Sequence, residues 1–307
     1  MDSFLEDTGE RLLPTWKHVT VAEHLHRYAI AMSLAVGKDV LDIASGEGYG
    51  SNLLGKVAKS VTGVDLSMTA VRHARQCYGN ATVRFVQGEA TKIPFHDAAF
   101  DLVVSFETIE HLVNNEAMVA DLQRVLKDDG LLLISSPDKA YHGDREDYAN
   151  AYHVKELYEH EFIDLLSRHF SSIYHMQQQV LTCSALWSHD RTAPVEIYTG
   201  SFDGFTILKK LPAPSFHVVL AGKKTVPTVP ESLFDGTDVA TAFASRQKTE
   251  IKNLNAYVES LQSEIKRYAQ QEKQPQQISN TEALQNIKMN FCLLGKRLLQ
   301  KMHVFFG

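Results

Sequence analysis

The chain has 307 residues, 44% of them hydrophobic, and a formal net charge of -6, enough apolar material to bury a full core. It contains no run of about 18 apolar residues of the kind that spans a bilayer as a helix. Its three cysteines, Cys77, Cys183 and Cys292, lie far apart with no C-x-x-C pair, which argues for a reducing cytoplasm and against a disulfide framework or a cysteine-built zinc site.

The start, MDSFLEDTGERLLP, is acidic and lacks an apolar h-region, so no signal peptide is expected. Over residues 18–35 the spacing of Leu25, Tyr28, Ala29 and Met32 predicts a helix with those residues on one face. Val40, Leu41 and Ile43 then read as a buried parallel strand, and Gly46, Gly48 and Gly50 follow at alternate positions, where the chain must turn and let a ligand approach its backbone. A dinucleotide-binding loop would space its glycines G-x-G-x-x-G over a pyrophosphate. The run here is D-x-A-S-G-E-G-Y-G, and no phosphate need be inferred.

Further strands are predicted at residues 61–67, 83–90, 100–107 and 130–137, the last launched by the turn KDDG and stopped by Pro137. Helices are expected around 49–58 and 68–78. This alternation predicts an α/β, doubly wound parallel sheet with right-handed crossovers and a ligand at the carboxyl ends of its strands. Asp65, ending the second strand about 20 residues beyond the loop, stands where such folds place a carboxylate for ribose hydroxyls.

With these features in order, the stretch from about residue 9 to residue 225 resembles the class I S-adenosylmethionine-dependent methyltransferases. The carriers are Asp42 opening the loop, Asp65, the G-E-A at 88–90, and the I-P-F-x-D-x-x-F-D-L run from Ile93. Ala44 stands where many relatives have a first glycine, and alanine still permits close backbone approach. The resemblance implies a Rossmann-like seven-stranded sheet and S-adenosyl-L-methionine as cofactor. It implies that Ala44, Gly46 and Gly48 cradle the cofactor, with Asp42 ordering the loop and the cofactor's amino group. It assigns the ribose to Asp65 with Leu66 beside it, the adenine to Glu89 and the backbone of Ala90, and the methionine end to Phe106 and to Tyr28, with Arg11 as a cap or a substrate contact.

SFETIEHL, residues 105–112, places Glu107, Glu110 and His111 at i, i+3 and i+4, on one side of a helix expected to begin there. The same E-x-x-E-H is similar to that of small-RNA 3′-terminal 2′-O-methyltransferases and quinone-pathway O-methyltransferases. In both it is associated with a divalent metal and a distant histidine, here His153. The implied ligand set is Glu107, Glu110, His111 and His153 for Mg, Mn, Fe or Zn. Two other readings stay open: His111 as a general base oriented by Glu110, and a structural role for the whole motif.

An amphipathic helix is predicted over 153–170 with Leu157, Phe162, Leu165 and Leu166 inward, then strands near 171–179 and 215–224. The long insertion between them, with Trp187, His189, Arg191 and Tyr198, is expected to cover the substrate. The expected domains are thus a methyltransferase domain at 1–225, a linker at 226–240, a coiled coil at 241–272 and a basic amphipathic helix at 278–307. Ile251, Leu254, Val258, Leu261, Ile265 and Tyr268 form a three-heptad seam, which predicts a dimer or trimer. The final segment reads as more coiled coil, as a docking helix for a partner such as a glycosyltransferase, or as an interfacial membrane helix.

Residues 246–307 carry ten Lys or Arg against five Asp or Glu, which leaves 21 against 32 before them. An acidic head argues against a nucleic-acid partner. Together, the head and stalk resemble chain-terminating methyltransferases of bacterial polysaccharide (O-antigen, lipopolysaccharide) synthesis. That likeness implies O-methylation of a sugar hydroxyl on a glycan or lipid-linked glycan, in the cytoplasm or peripherally on the inner face of the cell membrane. The alternatives are a quinone-like or other small-molecule O-methyltransferase and, in another class, a non-catalytic cofactor-binding scaffold working through its coiled coil.

Overall fold

A computed structural model describes residue 12 and residues 19–144, 150, 152–186 and 195–271. Two compact units are present: Met1–Arg145 with Ala151–Gly236, and Glu146–Asn150 with Thr237–Gly307.

The first unit is built on a seven-stranded sheet. Its strands are β1 (Asp39–Ile43), β2 (Ser60–Asp65), β3 (Val83–Gln87), β4 (Phe100–Ser105), β5 (Leu126–Pro137), β6 (Ser172–Gln178) and β9 (Phe216–Gly222). The order across the sheet is β3-β2-β1-β4-β5-β9-β6. The five strands β1 to β5 pair in parallel, and β9 is antiparallel to both β5 and β6. Side chains alternate across each strand, so each face of the sheet buries its own core. Leu41, Ile43, Val103, Leu132 and Ile134 pack under α4 (Asn115–Val125) and α5 (Glu159–Ser167). Val40, Val61, Leu102, Val104 and Leu133 pack under α1 (Val19–Ala35), α2 (Tyr49–Leu54) and α3 (Met68–Tyr78).

Several expectations are corrected. In α1 the buried face is Glu23, Arg27, Tyr28, Ala31 and Ala35, while Ala29 is exposed, so two charged side chains sit where the apolar spacing placed only hydrophobic ones. KDDG does not precede β5 but bulges within it: pairing jumps from Phe100↔Leu126 to Leu102↔Leu131, which leaves 127–130 looped out between them. The helix predicted from residue 153 starts at Glu159, because Leu157 is first held in a bridge to Asp138. The insertion after β6 contains a two-stranded hairpin, β7 (Ile197–Ser201) and β8 (Gly204–Leu208). Since Gln178, Phe216 and Pro137 share one register, the insertion leaves the sheet at the carboxyl ends of the parallel strands.

In the second unit, α6 (Thr237–Gln271) is a single helix of 35 residues. It begins inside the segment read as linker, and Ile251, Val258 and Ile265 of the proposed seam are exposed along it. Arg11, Trp187, His189, Arg191 and the basic stretch 278–307 lie outside the described residues.

Candidate active site

The glycine loop follows β1. Gly46 and Gly48 have φ of 55° and 101°, which glycine adopts without strain, and Ala44 is held at φ 55°. Gly50 is required for a different reason: a Cβ there would stand 2.0 Å from the Tyr28 ring. Helix α1 therefore rests directly on the first turn of α2. Three carboxylates hold the loop in shape. Asp65 accepts from the backbone N–H of Gly46 at 2.9 Å and of Ser67 at 2.8 Å. Glu47, buried and not singled out by the sequence reading, accepts from Tyr78 at 2.8 Å and faces His73 at 3.1 Å, which ties the loop to α3. Asp42 accepts from Ser51 at 2.6 Å and from Tyr28 at 3.2 Å.

Asp42 is 1% exposed, and burial pushes its carboxyl up to about 6 despite the hydrogen bonds from Ser51 and Tyr28 that oppose the shift. The folded chain thus holds a proton on Asp42 between about pH 4 and 6, where the unfolded chain does not. Stability from that proton is complete below about 4 and is lost as pH rises through about 6. Replacing Asp42 by Asn is accordingly expected to stabilise the chain by up to ~2 kcal/mol at pH 7–8, with the gain vanishing by pH 4. Urea unfolding of both proteins across this range measures it, and a pH-independent difference would show that Asp42 does not titrate as described.

Of the other expected cofactor contacts, Phe106 is buried against Tyr28, with ring centroids 5.1 Å apart. Leu66 is 69% exposed beside Asp65. Glu89 and Ala90 follow β3 in a short bridge, Glu89 pairing with Lys92 and accepting from the Thr91 hydroxyl. All sit at the carboxyl ends of β1 to β4 or in the segments that follow them, the end at which ligands of such sheets bind.

The E-x-x-E-H segment does not form the expected helix. Glu107 takes a left-handed conformation (φ 49°), and only Ile109–His111 make a 3₁₀ turn. The i, i+3, i+4 geometry is broken at its first member. Glu107 turns to Ser135, which donates to it at 2.6 Å, and to Arg27 at 3.5 Å. Glu110, His111 and His153 do come together, offering ligand atoms within 4.8 Å of one another, and Glu107 is not in this group. Glu110 is 1% exposed, and neither carboxylate oxygen makes a hydrogen bond. Burial, then the Glu107 charge, holds its carboxyl well above the usual range. His111 Nδ1 lies 2.9 Å from the Tyr152 carbonyl oxygen, a partner that can only accept. The proton of the neutral ring is therefore on Nδ1, and the Nε2 lone pair faces Glu110 Oε1 at 3.8 Å. His153 pairs with Glu156 through Nδ1, and its ring meets that of His111 edge to face at 5.2 Å.

Arg27 was missed by the sequence reading. It is 1% exposed, donates to Gln178 at 2.9 Å and lies over the Phe216 ring at 4.8 Å. Glu23, one turn earlier, is pushed up to about 7 by burial. Glu23, Glu107, Glu110 and Glu156 thus share this region with Arg27, and burial raises the carboxyls of Glu23 and Glu110 toward their neutral form.

A glycine loop pinned by Asp65, beside a carboxylate–imidazole cluster at the strand ends, suits a bound nucleoside cofactor and a group transfer next to it. Residues 41–134 match the methyltransferase domain family. A probable S-adenosylmethionine-dependent methyltransferase of Mycolicibacterium smegmatis is 32% identical in an alignment of 237 positions that covers 66% of this chain and 89% of that protein. The fatty-acid O-methyltransferase of the same species is 29% identical in an alignment of 129 positions that covers 39% of this chain and 47% of that protein. Among solved structures, a chain from the complex between the Haloferax volcanii Trm112 methyltransferase activator and a methyltransferase shares the fold. It has a TM-score of 0.50 and 16% identity, over 69% of this chain and 91% of that one. The chain belongs to the S-adenosylmethionine-dependent methyltransferases, and S-adenosyl-L-methionine is its cofactor.

Proposed function

We propose that the chain is an O-methyltransferase acting on a sugar hydroxyl of a lipid-linked glycan, capping the non-reducing end of a bacterial surface polysaccharide and so ending its growth. The observation that carries the hydroxyl acceptor is Glu110, a buried carboxyl with neither oxygen hydrogen-bonded, beside Nε2 of His111, whose Nδ1 is occupied by the Tyr152 carbonyl. A hydroxyl must lose its proton as it attacks the methyl group, and this pair is placed to take it.

The orphaned Glu110 oxygens and two imidazoles also fit a divalent cation, which Glu110, His111 and His153 would hold. When bound, such a cation supplies Lewis acidity that makes a hydroxyl easier to deprotonate. The lipid part of the acceptor rests on the β7–β8 hairpin. There Tyr198, Phe205 and Ile207 lie on one exposed face with Phe202 at the tip, at the end of the sheet where the acceptor must enter. The exposed seam of α6 implies a second copy of this chain as partner.

The test is transfer of labelled methyl to lipid-linked oligosaccharides and, in parallel, to fatty acids, after chelation and after return of Mg, Mn, Fe or Zn. Glycan labelling that falls on chelation and recovers with one metal is expected, from a chain that sediments as a dimer or trimer. Labelling of fatty acids alone, indifferent to chelation, would overturn the acceptor and the metal together, and a monomer would remove the stalk from the proposal.

A further inference from the structure

A second cluster, sharing no residue with the candidate active site, lies between α5 and the antiparallel strand pair. His175 on β6 and His217 on β9 are diagonal neighbours, since Gln177 is the residue opposite His217. Their facing nitrogens, Nε2 of His175 and Nδ1 of His217, are 3.1 Å apart. Glu159, the first residue of α5, brings Oε1 to 3.9 Å from Nδ1, the other nitrogen of the His175 ring, and each of the three residues offers one ligand atom within 4.8 Å of those of the other two.

On the far side of His217, Asp138 Oδ2 stands 3.5 Å from Nε2. His217 is fully buried, and that Nε2 makes no hydrogen bond. The arrangement has the parts of a carboxylate–histidine–metal relay: a carboxylate behind the imidazole favours the proton on Nε2 and turns the Nδ1 lone pair toward a shared point in front. Phe162, 6.5 Å from the His217 ring between centroids, supplies an apolar wall on the core side.

We propose that Glu159, His175 and His217 form a binding site for a divalent transition metal of the zinc class, oriented by Asp138, which clips the start of α5 to β6 and β9. Two imidazoles and one carboxylate are a donor set that zinc and cobalt accept, with water as a fourth ligand. The site is independent of the proposed reaction, because it shares no residue with the Glu110 cluster. Its work is to fasten the antiparallel part of the sheet, next to the strand ends that carry Gln178 and Phe216 against Arg27.

The experiment uses the full chain with Glu110→Gln and His111→Asn in place, so that the first cluster cannot contribute. Co²⁺ titration followed by its visible d–d absorption, and Zn²⁺ titration followed by melting temperature, are expected to show one site per chain and a rise in Tm. Adding His175→Gln, a change at a half-buried position, is expected to weaken binding at least tenfold and to erase the Tm response. Asp138→Asn is expected to weaken it about tenfold with the ligands intact. An absorption band and Tm response unchanged by His175→Gln, or no metal taken up by the parent variant, would overturn the site.

Discussion

Glu110→Gln is expected to reduce methyl transfer by at least ~10²-fold while leaving cofactor affinity within about twofold. The size follows from what the carboxylate does in either reading of the site: a general base and its orienting partner together contribute about 10²- to 10⁴-fold, and a missing ligand would cost at least as much. The fold should gain rather than lose. Glu110 is buried without a hydrogen bond, its carboxyl raised chiefly by burial, so in the wild type its ionisation opposes folding as pH rises. The amide is isosteric and removes that penalty, and the variant is expected to unfold at higher urea concentration than wild type at pH 8. Comparison with His111→Ala separates the two readings. If Glu110 binds a cation, metal-dependent activity disappears in both variants. If His111 alone is the base, His111→Ala is the more severe, and neither variant responds to metal. A Glu110→Gln enzyme of normal activity would remove Glu110 from the chemistry altogether.

Asp65→Ala has the second large effect, on binding. Its two carboxylate oxygens hold the N–H groups of Gly46 and Ser67, one in the glycine loop and one capping α3. Hydrogen bonds to a charged group contribute about 1.5–3 kcal/mol each. Their loss, with that of the expected ribose contact, should weaken S-adenosyl-L-methionine by at least ~10²-fold, measured by calorimetry at constant pH. Asp65→Asn, which can still accept one of the two bonds, is expected to fall between. An alanine variant that binds the cofactor as wild type does would mean that the loop is held by Asp42 and Glu47 alone.

Much of the fold was legible because buried parallel strands read as continuous apolar runs. Val40–Ile43 and Leu131–Ile134 could hardly be anything else, and Asp42, Gly48 and Asp65 followed from the strand ends. What was not legible depends on backbone states that spacing does not encode. E-x-x-E-H has helical spacing, yet Glu107 adopts φ 49° because its carboxylate is drawn back to Ser135 on the neighbouring strand. Arg27 escaped notice because a search for apolar periodicity treats a charge as solvent-facing. Its signal was its position beside Tyr28, one turn from Glu23 on one side and from Ala31 on the other. The β7–β8 hairpin had a readable sign in Asp203–Gly204, between two β-branched, aromatic-rich runs. The partners of His217 are 42 and 79 residues away along the chain, a proximity that only the closed sheet creates.

The position of β9 between β5 and β6 also has a consequence for the order in which the chain is completed. β6 has no sheet partner among the described residues other than β9, and β9 is made last, some 40 residues later. As the chain leaves the ribosome, the parallel strands β1 to β5 can assemble first, at a synthesis rate of about 5–20 residues per second. The β5 edge and the whole of β6 then stay unpaired for several seconds, until Phe216–Gly222 emerges and closes both ladders at once. Nascent chains halted before Phe216 should therefore be cut by protease within residues 172–178, and chains halted well beyond Gly222 should be protected there.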